Sequence, residues 1–256
     1  GEMPELARKC LASWHEFMPD WEYQLWNEDN FDLEAWPYAA EAYKARKYAF
    51  VTDVVRLYAL VHFGGVYMDT DVEVLKPLDP ILGYEAVSGF ESETRVPTGL
   101  MASEPHHPFM ESLLREYEGA HFLLEDGSPD LTTNVIRITR ACIKEGLVLD
   151  NTLQTVGGFT LLPKDWLCPK DLSTRELHLT ANSLCIHHFD GSWQGPVKRF
   201  VNDFSAKHLL FLPSGKRRFV ARVIGEFRYN GFRAGLSAIA GKIKEKTQDS
   251  DPQTLQ

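Results

Sequence analysis

Leu6, Cys10, Leu11 and Trp14 recur at the spacing of one helix face. The pattern therefore predicts a helix over residues 4–17, with Pro4 in its first turn and Pro19 beyond its end. Trp21–Trp26 reads as a short aromatic strand, followed by the polar turn Asn27–Asn30. After Pro37 about 25 residues keep a helical pattern, with a break near Arg46. Lys47–Phe63 is apolar on most faces, as a buried helix is, and Gly64-Gly65 stops it.

Farther along, Gly65–Leu78 reads as strand, polar turn, strand, and Ala86–Phe90 as another strand. Pro108–Gly119 and Leu131–Glu145 read as helices. Leu147–Leu149 and Thr160–Leu162 are apolar enough for strands, and Ser183–Phe189 is a late strand that ends in polar residues. Strands alternating with helices predict an α/β fold with a mostly parallel central sheet flanked by helices. Ligands of such sheets gather beyond the carboxyl ends of the strands.

Composition narrows the functional classes. The chain has 256 residues, 44% hydrophobic and 25% charged, the balance of a globular protein. A formal charge of −9 argues against a nucleic-acid partner, which needs a basic face. Aromatic residues reach 12%, with six Trp, which suits either an aromatic core or a surface that stacks on sugar rings. No run approaches the roughly 18 apolar residues of a membrane span, and GEMPELARKC has no signal-like segment. Cysteines at 10, 142, 168 and 185 form no CxxC pair, so reduced thiols in a cytoplasmic setting are expected.

The candidate chemistry is acidic. Asp69 and Asp71 flank Thr70 just after the apolar stretch Gly65–Met68. Two carboxylates one residue apart can face one hard cation and leave open positions for diphosphate oxygens. An EF-hand is excluded, because its sixth and twelfth loop positions fall on Val74 and Pro80 instead of Gly and Glu. On the preceding helix Asp53 and Arg56 are three apart and share a face. They are either a solvated ion pair or, given the apolar residues around them, a buried charged pair of the kind that marks sites.

The run KYAFVTDVVRLYALVHFGGVYMDTDVEVLKPL, residues 47–78, resembles the nucleotide-sugar-binding core of glycosyltransferase family 32. Its relatives include large clostridial glucosylating toxins and yeast initiating mannosyltransferases. The resemblance covers residues 4–195 and includes Trp21–Phe31. It implies a GT-A type fold and a retaining, metal-dependent transfer of a hexose from a nucleoside-diphosphate sugar, a UDP-sugar in preference to a GDP-sugar. The acceptor would be a polysaccharide or a lipid-linked oligosaccharide. Manganese or magnesium would bridge the diphosphate to Asp69 and Asp71, with Asp71 binding directly and Asp69 nearer the ribose. Asp53 would bond the donor sugar, Arg56 would contact sugar or phosphate, and Tyr67 would complete the donor pocket. The family also opens on an apolar strand that serves the base and ribose, and no such strand is read within these residues.

His187-His188-Phe189-Asp190-Gly191-Ser192-Trp193 is similar to the family's late H-x-x-x-S-W element. Strand alternation lets only one of the two histidines face a metal. His188 is favoured, because His-Phe-x-Gly is a ligand segment in other retaining GT-A enzymes; two structural histidines are the alternative. Ser192 and Trp193 would reach phosphate from a loop, unless Trp193 is a core anchor. Pro97–Gly99 and Ser128–Thr133 lie where acceptor and donor-sugar contacts fall in the family, and Glu91 and Glu93 are nearby acids. His106-His107 reads as solvated or capping. A catalytically inactive nucleotide-sugar or glycan-binding module is the rival from another class. A nucleotidyltransferase would need an early Gly-rich, lysine-bearing loop that is not visible.

Residues 1–213 are thus expected to form the GT-A catalytic domain, 214–246 a basic amphipathic helical segment, and 247–256 a disordered tail. Residues 216–246 hold nine basic and two acidic side chains, a charge of +7 that leaves −16 on the remainder. Phe219, Val223, Phe227 and others interleave with them. Such a segment either packs on the core or rests on an anionic membrane surface, as a peripheral protein on its inner face would.

Overall fold

A computed structural model describes residues 2–96, 99–191 and 194–248. The chain divides into two compact units: one of residues up to Lys170 with Leu177–Phe189, the other of Asp171–Glu176 with the residues from Asp190 onward.

The first unit is α/β with a mixed sheet, consistent with the GT-A type. Its helices are α1 (Glu5–Phe17), α2 (Pro37–Lys44), α3 (Tyr48–Phe63), α4 (Pro108–Arg115), α5 (Asn134–Lys144) and the short α6 (Lys164–Leu167). Its strands are β1 (Gly65–Met68), β2 (Val72–Val74), β3 (Ala86–Gly89), β4 (Leu100–Ser103), β5 (Gln154–Val156), β6 (Phe159–Leu162) and β7 (Cys185–His187). Five strands run in the order β1-β4-β3-β6-β5, and β2 pairs separately with β7.

The sheet departs from the mostly parallel one expected. Only β3 and β6 are parallel, while β1–β4, β3–β4 and β5–β6 are antiparallel. Connection length is the reason: β3 reaches β4, and β5 reaches β6, through loops too short for a crossover. The β3–β6 connection runs through β4, α4, α5 and β5.

Strand alternation builds one core on each face. Ala86, Met101, Phe159 and Leu161 join α2–α5 in the larger cluster. Val87, Leu100, Ala102 and Leu162 turn to the other face, against Trp14, Met18, Val72, Val74 and Cys185. Trp14 fixes α1 there by donating its indole N–H to the Val72 carbonyl at 2.7 Å.

The α2–α3 break falls at Arg46, whose φ is 57°. Gly64 ends α3 at φ 69°, and a Cβ there would sit 2.7 Å from Pro105 Cδ, so the turn delivering the chain into β1 requires glycine.

Two expected strands are absent. Trp21–Trp26 is unpaired; Tyr23 donates to the Trp14 and Met18 carbonyls at 2.9 and 3.0 Å, and Trp26 packs edge-on against Tyr58. Leu147–Leu149 is a loop in which the Gln154 side chain, not a neighbouring strand, accepts from Val148 N and donates to Val148 O. His107 caps α4 by accepting from Phe109 N, as the capping reading allowed.

The second unit is helical: α7 (Pro196–His208), α8 (Ser214–Asn230) and α9 (Phe232–Gln248). Apart from Asp171–Glu176 it runs from Asp190 onward, ahead of the expected boundary at 213, because α7 packs on α8. Its core is small, with Val201, Leu209 and Ala221 buried. Among the described residues no helix is long and apolar enough to cross a membrane. Most of the expected disordered tail lies outside the described residues.

Candidate metal and donor site

Helix α3 carries Asp53 and Arg56 into the core amid Phe50, Val54, Val55, Leu57 and Leu60. Both are buried, at 7% and 4% exposure, which excludes a solvated pair. Arg56 Nη2 lies 3.3 Å from Asp53 Oδ1 and 3.2 Å from Asp69 Oδ1, so one guanidinium joins the helix to the acidic turn. Its plane covers the Tyr67 ring at 4.7 Å, and Tyr67 donates its hydroxyl to Asp69 Oδ1 at 2.7 Å. Burial pushes the Asp53 carboxyl up to about 6, although Arg56 pulls it down. Burial also opposes the charge on Arg56, but Asp69, Tyr67 and Asp53 more than restore it.

The turn after β1 is set by backbone bonds. Asp69 N donates to the Gly99 carbonyl at 2.7 Å, and Val72 N to the Asp69 carbonyl at 3.0 Å. In the β2–β7 ladder His187 stands opposite Val72, and His188 N donates to the Asp71 carbonyl at 3.0 Å. The two histidines then part. His187 Nε2 lies 3.4 Å from Asp71 Oδ1, whereas His188 Nε2 meets Glu73 Oε2 at 2.7 Å. Lys9 Nζ meets the same Glu73 oxygen at 2.7 Å.

Asp69, Asp71 and His187 each present one ligand atom within 4.8 Å of the others. The structure thus brings His187 to the acids, and turns His188, the favoured residue, toward Glu73. Alternation decides this: adjacent side chains leave opposite faces of β7, and the face shared with Asp71 belongs to His187. Two carboxylates and an imidazole suit manganese and, less closely, magnesium. His187 Nδ1 is buried without a hydrogen-bond partner, so Nδ1 is not what pins the ring; Nε2 facing Asp71 and the packing around it are. Burial disfavours protonated His187, yet Asp71 and the neighbouring Cys168 thiol hold it well above the ordinary imidazole range.

Three positions not singled out for these roles also belong here. Glu91 is buried at the end of β3, and burial raises its carboxyl against the pull of His187, Arg95 and Lys164. Asn134 opens α5 with both side-chain polar atoms buried and unpartnered, and its backbone N–H bonds to Asp53. Its signal was its place directly after Ser128–Thr133. Gly99 matters through what it lacks: a Cβ there would lie 2.8 Å from His187 Nδ1 and 3.0 Å from Cε1. Ser192, Trp193, Pro97 and Thr98 lie outside the described residues, and Glu93 is exposed.

Gly99→Ala is therefore expected to push the imidazole off the acids while leaving the backbone unstrained. Manganese affinity should fall at least about tenfold, or ~1.4 kcal/mol, by calorimetry. An unchanged affinity would show that His187 contributes nothing to cation binding.

Comparison with known proteins bears on this geometry. Residues 4–88 match the family described as glycosyltransferase sugar-binding region containing DXD motif. The matched segment carries Asp53, Arg56, Tyr67, Asp69 and Asp71.

The chain is related to glycosyltransferases.

Over 115 residues, 43% of its length, it is 33% identical to a mannosyl phosphorylinositol ceramide synthase of Saccharomyces cerevisiae, covering 29% of that protein. It is 31% identical over 121 residues, 46% of its length, to inositol phosphoceramide mannosyltransferase 2 of Schizosaccharomyces pombe, covering 35% of it. Human alpha-1,4-N-acetylglucosaminyltransferase is 30% identical over 91 residues, 34% of this chain and 25% of that protein. The chain thus spans about a third of the length of the curated relatives it matches. No solved structure matches it.

Proposed function

We propose that this chain is a metal-dependent, retaining glycosyltransferase that moves a hexose from a nucleoside-diphosphate sugar to a glycan or lipid-linked acceptor. One observation carries the reading: Asp69, Asp71 and His187 converge at the end of β1, and the buried Arg56 holds Asp69 in place. The match over residues 4–88 supports it. The lipid-linked acceptor is supported by two relatives whose names specify mannosyl phosphorylinositol ceramide and inositol phosphoceramide.

Asp69, Asp71 and His187 would hold manganese or magnesium. Such a cation, when bound, neutralises charge that develops on the departing diphosphate. Arg56 fixes the side chain of Asp69 and offsets its negative charge before any ligand arrives, so less reorganisation is left for the transition state. Tyr67 fixes the same oxygen from the other side. Asp53 would bond the donor sugar, with Asn134 beside it as a source of unsatisfied donor and acceptor groups. The acceptor hydroxyl attacks the anomeric carbon, the bond to the diphosphate breaks with its electron pair on phosphate oxygen, and the hydroxyl proton passes to that oxygen. No side chain is assigned as a nucleophile.

The test is a screen of UDP- and GDP-linked glucose, galactose, mannose and N-acetylglucosamine for hydrolysis by the chain with manganese. Release of a nucleoside diphosphate from one donor class supports the reading, with a UDP-sugar expected first. Binding without turnover for every donor, with and without acceptor, would identify a binding module instead.

A further inference from the structure

We infer that the turn between α7 and α8 is a membrane-docking tip for an anionic bilayer. It reads Leu209-Leu210-Phe211-Leu212-Pro213. Leu209 is buried beneath it, whereas Phe211 is 79% and Leu210 45% exposed. Leu212 N donates to the Leu209 carbonyl at 3.0 Å, so the turn is closed by its own backbone. An aromatic ring held out on a closed turn gains nothing from the fold that presents it.

The charges around the tip are the second observation. Lys207 lies in the last turn of α7, and Lys216, Arg217 and Arg218 lie in the first turn and a half of α8. A cation at the end of α7 favours that helix. The three at the start of α8 do the reverse, because a helix N-terminus is the positive end of its dipole, and no acidic residue stands in that turn. Among the described residues none of the three forms an ion pair; Lys216 and Arg218 are exposed, whereas Arg217 is half-buried with its Nε enclosed. Helix stability therefore does not explain the two exposed cations. An external layer of negative charge does.

An apolar tip ringed by cations fits a bilayer with anionic headgroups, where rings enter the acyl boundary and phosphates meet the cations. A nucleic acid would use the cations but not Leu210 and Phe211. The +7 carried by residues 216–246 gives the attraction its range. This inference is independent of the chemistry proposed for Asp69 and Asp71.

The experiment is co-sedimentation of the full chain with phosphatidylcholine vesicles, with and without about a third phosphatidylserine. Wild type is compared with Leu210→Ser/Phe211→Ser and with Lys216→Glu/Arg218→Glu. All four positions project from the fold, so melting temperatures and donor hydrolysis in solution should match wild type. Wild type is expected to sediment with the anionic vesicles at low salt. Each double variant should lose at least about tenfold in partitioning, and salt should weaken wild-type binding. Equal binding by wild type and the Ser variant would overturn the inference. So would binding to neither vesicle, or self-association that the variants abolish, which would make the turn a contact between copies. Loss of donor hydrolysis in every protein would bear on the transferase reading alone.

Discussion

Asp71→Asn is expected to lower donor turnover by at least about 100-fold, a loss of ~2.7 kcal/mol in transition-state stabilisation. The change keeps the size of the side chain and removes one of two carboxylates in the only Asp-Asp-His group found among the described residues. It also removes the negative partner 3.4 Å from His187 Nε2, so the imidazole loses its aim as well as its neighbour. Folding should be affected little, because Asp71 lies on a turn and not in either core. Turnover is measured at saturating manganese, with melting curves for both proteins. Wild-type rates in Asp71→Asn, or in wild type treated with EDTA, would remove the metal from the account.

Arg56→Met is expected to have the largest effect on stability. Met roughly keeps the length of the side chain and leaves Asp53 and Asp69 facing an uncompensated gap. Breaking a buried pair in this way costs about 3–5 kcal/mol, and each kcal/mol lowers the melting temperature by about 2–4 °C for a chain of this size. Adding Asp53→Asn should restore much of the stability, since a neutral amide tolerates burial at 7% exposure better than a lone carboxylate. Activity per folded molecule should stay low in the double variant, because Asp69 still lacks the guanidinium that fixes it. Full recovery of both would make Arg56 a structural residue only. A melting temperature unchanged in Arg56→Met would contradict the ion-pair network itself.

The positions Asp53, Arg56, Tyr67, Asp69 and Asp71 were legible because their spacing is local. A helix turn sets Asp53 beside Arg56, and a strand end sets Asp69 beside Asp71. The partners that sequence could not reach come from elsewhere in the chain. Which histidine faces Asp71 depends on the β2–β7 register, and one step along that ladder exchanges His187 for His188. Gly99 acts through the empty space beside an imidazole 88 positions away, which leaves no pattern in its own surroundings. Strand direction was misread for a related reason. The alternation of strands and helices suggested parallel pairing, but β4, only four residues long, slips between β1 and β3 and is antiparallel to both. Its sequence, Leu100–Ser103, is too short to carry a period. Trp21–Trp26 has the composition of a strand, yet its aromatic rings serve α1 and α3. Composition reports that a segment packs, not what it packs against.

The central claim is that Asp69, Asp71 and His187 bind a divalent cation through which a nucleoside diphosphate is held. Calorimetric titration of UDP and GDP into the wild-type chain, with manganese and then with EDTA, tests it most directly. The account expects binding of one diphosphate in manganese, at least about 100-fold tighter than in EDTA, or ~2.7 kcal/mol, and loss of that difference in Asp71→Asn. Equal affinity for the diphosphate with and without the metal would contradict it.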